Sequence, residues 1–165
     1  MKRLTLLALI FFCIFALVGC SKTDSSKQSN QNYAEILVAS RPSADKTPVI
    51  TNPKQDTFGL LELYDLAEDT MQQYAISFSA MNNKAYGIAI VMPEEGKTDL
   101  VVEKLNAMIE SCQNAFRNYL PDEYEIAQDA KLEIVDSGEV VLAMCKDDDV
   151  VLKNIVTALQ QKESL

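Results

Sequence analysis

The chain has 165 residues, 24 acidic and 15 basic side chains, a formal charge of −9 and no histidine. A surface this acidic is repelled by nucleic-acid backbones and by anionic lipid headgroups, which argues against DNA or RNA as a partner. The missing imidazole removes the usual serine and cysteine hydrolases, which need such a base beside their nucleophile.

Met1-Lys2-Arg3 opens the chain with positive charge, and Leu4 to Leu17 follows without a charged residue. A membrane-spanning helix needs about 20 apolar residues, whereas export signals carry apolar cores of about 7 to 15. Ser21 to Asn32 has no apolar side chain, so an apolar helix cannot continue past Cys20. The tetrad Leu17-Val18-Gly19-Cys20 is similar to the lipobox of bacterial lipoproteins. That resemblance implies cleavage after residue 19 and a diacylglycerol on Cys20, the predicted lipid-attachment site. Two acyl chains give stable anchoring where one gives marginal binding. Loss of residues 1–19 takes away two cations and no acid, moving the charge from −9 to −11.

Residues 20–32 read as the lipidated cysteine and a disordered polar tether, with an end-to-end distance of roughly 20 Å. Residues 33–56 read as an N-terminal arm: Tyr33 to Ala39 forms one or two helical turns, and 41–56 is an extended connector punctuated by Pro42, Pro48 and Pro53. The connector is either a binding loop or an arm lying on the core, and the arm is favoured.

The folded domain is expected over 57–165. Leu60, Leu63, Tyr64 and Ala67 have helical spacing, with Thr57 as N-cap and Met71 extending the stripe. From Tyr74, the alternation of Ile76, Phe78 and Ala80 with Ser77, Ser79 and Met81 predicts a half-buried strand. Asn82 to Ala85 is a turn, and Tyr86 to Met92 is an apolar central strand covered on both faces. Thr98-Asp99 starts a helix whose stripe runs Val101, Leu105, Met108, Cys112, Phe116 and Tyr119, and Pro121 stops it. Asp122 to Asp129 is a short turn or helix. A second hairpin, 131–135 with 140–145, turns at Asp136-Ser137-Gly138, and a last helix carries Val151, Leu152, Ile155, Val156 and Leu159. Strand-strand-helix, twice, predicts an α+β two-layer sandwich: an antiparallel sheet of about four strands with helices on one face.

Leu63-Tyr64-Asp65-Leu66, the strand Tyr74-Ala75-Ile76-Ser77-Phe78-Ser79 and the turn Tyr119-Leu120-Pro121-Asp122-Glu123-Tyr124 resemble small Gram-positive lipoproteins carrying a domain of unknown function. The resemblance spans about residues 57–160. It implies an extracytoplasmic setting and brings no activity with it.

Chemistry-bearing motifs are few. No phosphate loop, dinucleotide fingerprint or nucleophile elbow is present. Asp147-Asp148-Asp149 lacks the spacing of a calcium loop and reads as the acidic start of a helix. Cys112 and Cys145 are left open between a disulfide and two buried thiols. Met71, Met81, Met92, Met108 and Met144 follow strand and helix spacings and read as core and sheet filling. Tyr119, Pro121 and Tyr124 are the candidate recognition surface, set against a helix stop with its tyrosines folded onto the core. No metal or cofactor is expected. The leading expectation is a non-enzymatic, lipid-anchored binding or interaction module outside the cell membrane, with an envelope protein as partner. The alternatives are a small-molecule receptor serving a transporter and a carboxylate-dependent enzyme acting on envelope polymers.

Overall fold

The computed structural model describes residues 22–163. Cys20 and the apolar stretch before it lie outside the described residues. Helix α1 spans Lys22–Ser40, a one-turn helix α2 spans Leu60–Leu63, and strands β1 and β2 span Met71–Phe78 and Gly87–Pro93. Helices α3 (Thr98–Phe116) and α4 (Pro121–Gln128) follow, then strands β3 (Lys131–Ile134) and β4 (Val140–Met144), then helix α5 (Asp148–Glu163). The strands form one sheet in the order β1-β2-β4-β3, with each neighbouring pair antiparallel. The expected α+β class, with four antiparallel strands and strand-strand-helix order, is the architecture observed.

Side chains alternate across this sheet. Ile76, Phe78, Ala89, Val91, Leu142 and Met144 point to one face, where they meet Val101, Leu105, Met108 and Phe116 of α3. Ala75, Ile88, Ile90, Val141 and Ala143 point to the other, where Tyr33 and Leu37 of α1 join Val151, Ile155 and Leu159 of α5. The expected sandwich is therefore present in α3 and α4 over the sheet. The expectation that helices keep to one face is corrected, because α1 and α5 cover the opposite face. Nothing else could: β2 and β4 are apolar at nearly every position, and a strand of that composition must be covered twice. For the same reason β1 is not half-buried, since Tyr74 to Phe78 are all buried.

The predicted disordered tether is also corrected, because the chain is helical from Lys22. Isolated polar helices are marginal, and packing of one face supplies most helical stability in proteins. Here the second half supplies it. Tyr33 and Leu37 are buried, and the Asn30 side chain bridges the sheet to the connector, accepting from Tyr74 N–H and donating to the Thr51 carbonyl. No proline or glycine interrupts residues 22–40, so the helix continues toward its N-terminus. Tyr33 Oη donates to Glu139 Oε1 at 2.8 Å, and Ser137 donates to the other oxygen of the same buried carboxyl.

Residues 57–68 hold one helical turn in place of the expected helix. The N-cap position falls at Gly59, not Thr57, and Asp56 serves the first turn from outside it: its two oxygens accept from the N–H groups of Leu60 and Leu61 at 2.8 and 2.7 Å. Asp65, at φ 53, then turns the chain left-handed, and Leu66 N–H closes onto the Leu61 carbonyl. This leaves Leu63 exposed and starts β1 at Met71, so that Met71 is a strand residue. In contrast, α3 keeps its predicted stripe from Val101 to Phe116 but ends before Tyr119, and Leu120 takes non-helical angles before Pro121 as expected. Gly87 opens β2 beneath closely packed side chains. A Cβ there would lie 2.5 Å from Met108 Cε, with Phe78 and Met144 also in contact.

Tyr33→Phe removes the donor to a buried carboxyl oxygen and should cost about 1–3 kcal/mol, seen as a lower urea midpoint at unchanged slope. An unchanged midpoint would mean that the α1 contact with Glu139 contributes nothing net.

Candidate functional site

The connector after α1 is ordered by side chains that substitute for missing backbone pairing. Arg41 is its centre. One of its terminal nitrogens donates to the Thr47 carbonyl at 2.8 Å, to Ser77 Oγ at 2.9 Å and to Tyr86 Oη at 3.3 Å. Its side chain is only 7 % exposed, and Asp45 faces it at 4.0 Å. Asp45 also accepts from Thr47 N–H at 2.9 Å. Burial pulls the Asp45 carboxyl upward, but hydrogen bonds from Tyr86 and Thr47 and the Arg41 charge outweigh it and hold the group below the usual aspartate value. Burial, with the bond to Asp45, pushes Tyr86 up to about 12, although Arg41 and Ser77 pull the other way.

Three residues further on, Ile50 pairs with Ile76 through two backbone hydrogen bonds and covers the outer edge of β1. The chain then makes a tight turn at Pro53–Gln55, capped by Asn52, and reaches Phe58 and α2. Between this loop and the end of β1 lies a slot of about 330 Å³. Thr47, Pro48, Ile50, Phe58 and Leu60 form one wall, and Phe78, Ala80, Met81 and Lys84 form the other. Ile50, Leu60 and Phe78 are buried members of the main core, so the slot opens directly onto it. Phe58 and Met81 stand on the rim, 69 % and 61 % exposed. Lys84 also lines a second cleft with Asp45, Tyr86, Glu123 and Cys145. Its ammonium lies 4.6 Å above the Tyr86 ring.

The residues predicted as a recognition surface are spread differently. Tyr119 is 83 % exposed beyond the end of α3. Pro121 begins α4. Tyr124 is half-buried against the core, with the Arg117 guanidinium over its ring at 5.8 Å. The helix stop thus folds one tyrosine inward and leaves the other in solvent. Cys112 and Cys145 are free thiols belonging to the cores on opposite faces of the sheet, which precludes a disulfide between them. Burial raises both, Cys145 to about 11, so neither is a ready nucleophile at neutral pH. Asp148 and Asp149 start α5 and face Lys131 of β3 at 3.8 and 3.7 Å. Among the described residues, no group of three potential metal ligands comes together.

Two slot residues escaped the sequence reading. The spacing of Met81 predicts core or sheet filling, as for four other methionines, yet it is the one that stands exposed at a cleft. Phe58 had a signal: it falls off the Leu60, Leu63, Tyr64, Ala67 spacing, and an aromatic off the stripe is a candidate for the surface. Of the two expectations for the connector, residues 47–58 lie on the core as an arm, bridged to β1 through Ile50, and the same residues wall the slot.

A family profile described as a domain of unknown function, DUF4358, matches residues 48–145. No curated protein and no solved structure matches the chain.

Asp45 is lowered in the folded state, so its contribution is present above its unfolded value and is lost as pH falls through the folded one. The stability gap between wild type and Asp45→Asn should therefore be steady near neutrality and shrink in acid, as read from denaturant midpoints across pH. A gap that does not vary with pH would remove Asp45 from the network.

Proposed function

The chain belongs to the DUF4358 family, whose description carries no activity, and from that premise we propose that it is a non-enzymatic binding module held at the outer face of the cell membrane. The observation that carries the binding reading is the slot beside β1, an apolar cavity with two exposed hydrophobic side chains on its rim. Water at Phe58 and Met81 is unfavourable at about 25 cal/mol per Å² of apolar surface, and an occupant of the slot would remove it. Rigid walls favour the same reading. The Arg41 node and the Ile50 bridge fix one side, and β1 fixes the other, so little order is lost on binding.

The extracytoplasmic reading rests on Leu17-Val18-Gly19-Cys20, the basic start before it and the polar run after it. Its finer form, a Gram-positive lipoprotein, rests on the resemblance of Leu63 to Leu66, Tyr74 to Ser79 and Tyr119 to Tyr124 to that group. A non-enzymatic role is favoured by the missing histidine and by a slot whose only charged lining group is Lys84.

Cys20→Ser should move the protein from the membrane fraction to the medium, or leave it unprocessed; a variant retained and processed like wild type ends the anchor proposal. For the slot, the photoreactive residue benzoylphenylalanine in place of Phe58 should yield a discrete adduct in cells. The same group in place of Glu110, exposed on α3, should not. Identical adduct patterns at the two positions would overturn the binding role of the slot.

A further inference from the structure

The slot combines apolar walls with a single cation, and the geometry points to a small amphiphilic carboxylate as its ligand. The apolar tail lies against Ile50, Leu60 and Phe78, and the carboxylate meets Lys84 Nζ. This assignment rests on the reading of the domain as a binding module and specifies what is bound.

Three observations carry it. The first is size. A cavity of about 330 Å³ sits at the lower end of the range for small-ligand sites, roughly 300–1,000 Å³. The second is the state of the wall's polar groups. Gln55 Oε1 already accepts from the backbone N–H and the hydroxyl of Thr51, and Ser79 Oγ bonds within its own turn to Met81. A peptide backbone entering the slot would bring amides that such walls leave unmet, a cost that an alkyl or aryl tail does not incur. The third is charge. Lys84 forms no ion pair among the described residues and touches only the face of the Tyr86 ring, which leaves ammonium donors free to turn toward the slot. The adjoining cleft carries three acids: Glu123 Oε2 accepts from Ala85 N–H at 2.6 Å, Asp45 is held by Thr47 and Arg41, and neither these nor Asp147 pairs with Lys84 among the described residues. A ligand cation in the slot would face Lys84 alone, whereas a carboxylate gains a charge-assisted hydrogen bond.

The test uses the full chain in its native membranes and octanoate bearing a photoreactive diazirine on its chain, with labelled peptides identified by mass spectrometry. Label should fall on the peptides carrying Phe58 and Met81. At matched free concentration, octanoate should displace it about tenfold better than octanol, the ratio expected for one hydrogen bond to a charged group. Lys84→Met should level the two competitors and Lys84→Arg should keep the preference, with thermal unfolding unchanged in both. Equal displacement by octanoate and octanol in the wild type overturns the carboxylate assignment and leaves the binding module standing. Absence of label from both slot peptides overturns the amphiphile assignment, while the binding role itself stands or falls on the crosslink at Phe58. A preference that survives Lys84→Met removes Lys84 from the site.

Discussion

Two central strands that are apolar on both faces set the terms for the rest of the molecule. β2 and β4 are buried at nearly every position, so each face of the sheet needs its own helical cover. α3 and α4 supply one, and their residues come from between the two hairpins. The other comes from α1 and α5, at opposite ends of the described chain. The family match, 48–145, contains the whole sheet and the helices of the first face and stops short of both helices of the second. In this chain the matched segment alone would leave Ile88, Ile90 and Val141 uncovered, so α1 and α5 are structural necessities and not appendages.

Closing the second face also creates the slot. To reach β1 from the end of α1, the chain must turn over the sheet edge, and Arg41 is the group that makes the turn possible. A buried guanidinium is costly unless its donors are used; here one terminal nitrogen serves a carbonyl and two hydroxyls with Asp45 opposite, while Nε is buried without a partner, so part of that cost stays. Ser77, a fully buried polar residue between the apolar Ile76 and Phe78, is explained by that bond. With the turn fixed, Ile50 reaches the edge of β1 and the loop to Phe58 stands away from the strand end, leaving the apolar gap between them. The polar node and the apolar slot are consequences of one route of the chain, and Thr47 belongs to both.

Glycine and methionine at the start of β2 show how closely the first face is filled. A Cβ at Gly87 would have to displace the flexible end of Met108 of α3, with Phe78 of β1 and Met144 of β4 close beside it. Unbranched thioethers suit such irregular contacts. At Met81 the same side chain stands at the slot rim, where its flexibility would suit an apolar ligand.

Periodicity by itself determined the four strands, α3, α5 and the stop at Pro121, because each is a local pattern of apolar residues or a local steric rule. It also determined that β2 is covered twice. Only the tertiary structure decided what covers it: α1 is helical because Tyr33 and Leu37 find the sheet, and no pattern in Ser21 to Asn32 announces that. The same holds at 57–68, where a helical spacing was real but Asp56 and a left-handed Asp65 confined it to one turn. Phe58 and Met81 become partners across a gap only when residues more than twenty positions apart are folded together. Burial patterns are written into each element, whereas a cleft exists between elements, and its composition is fixed by the path of the chain that joins them.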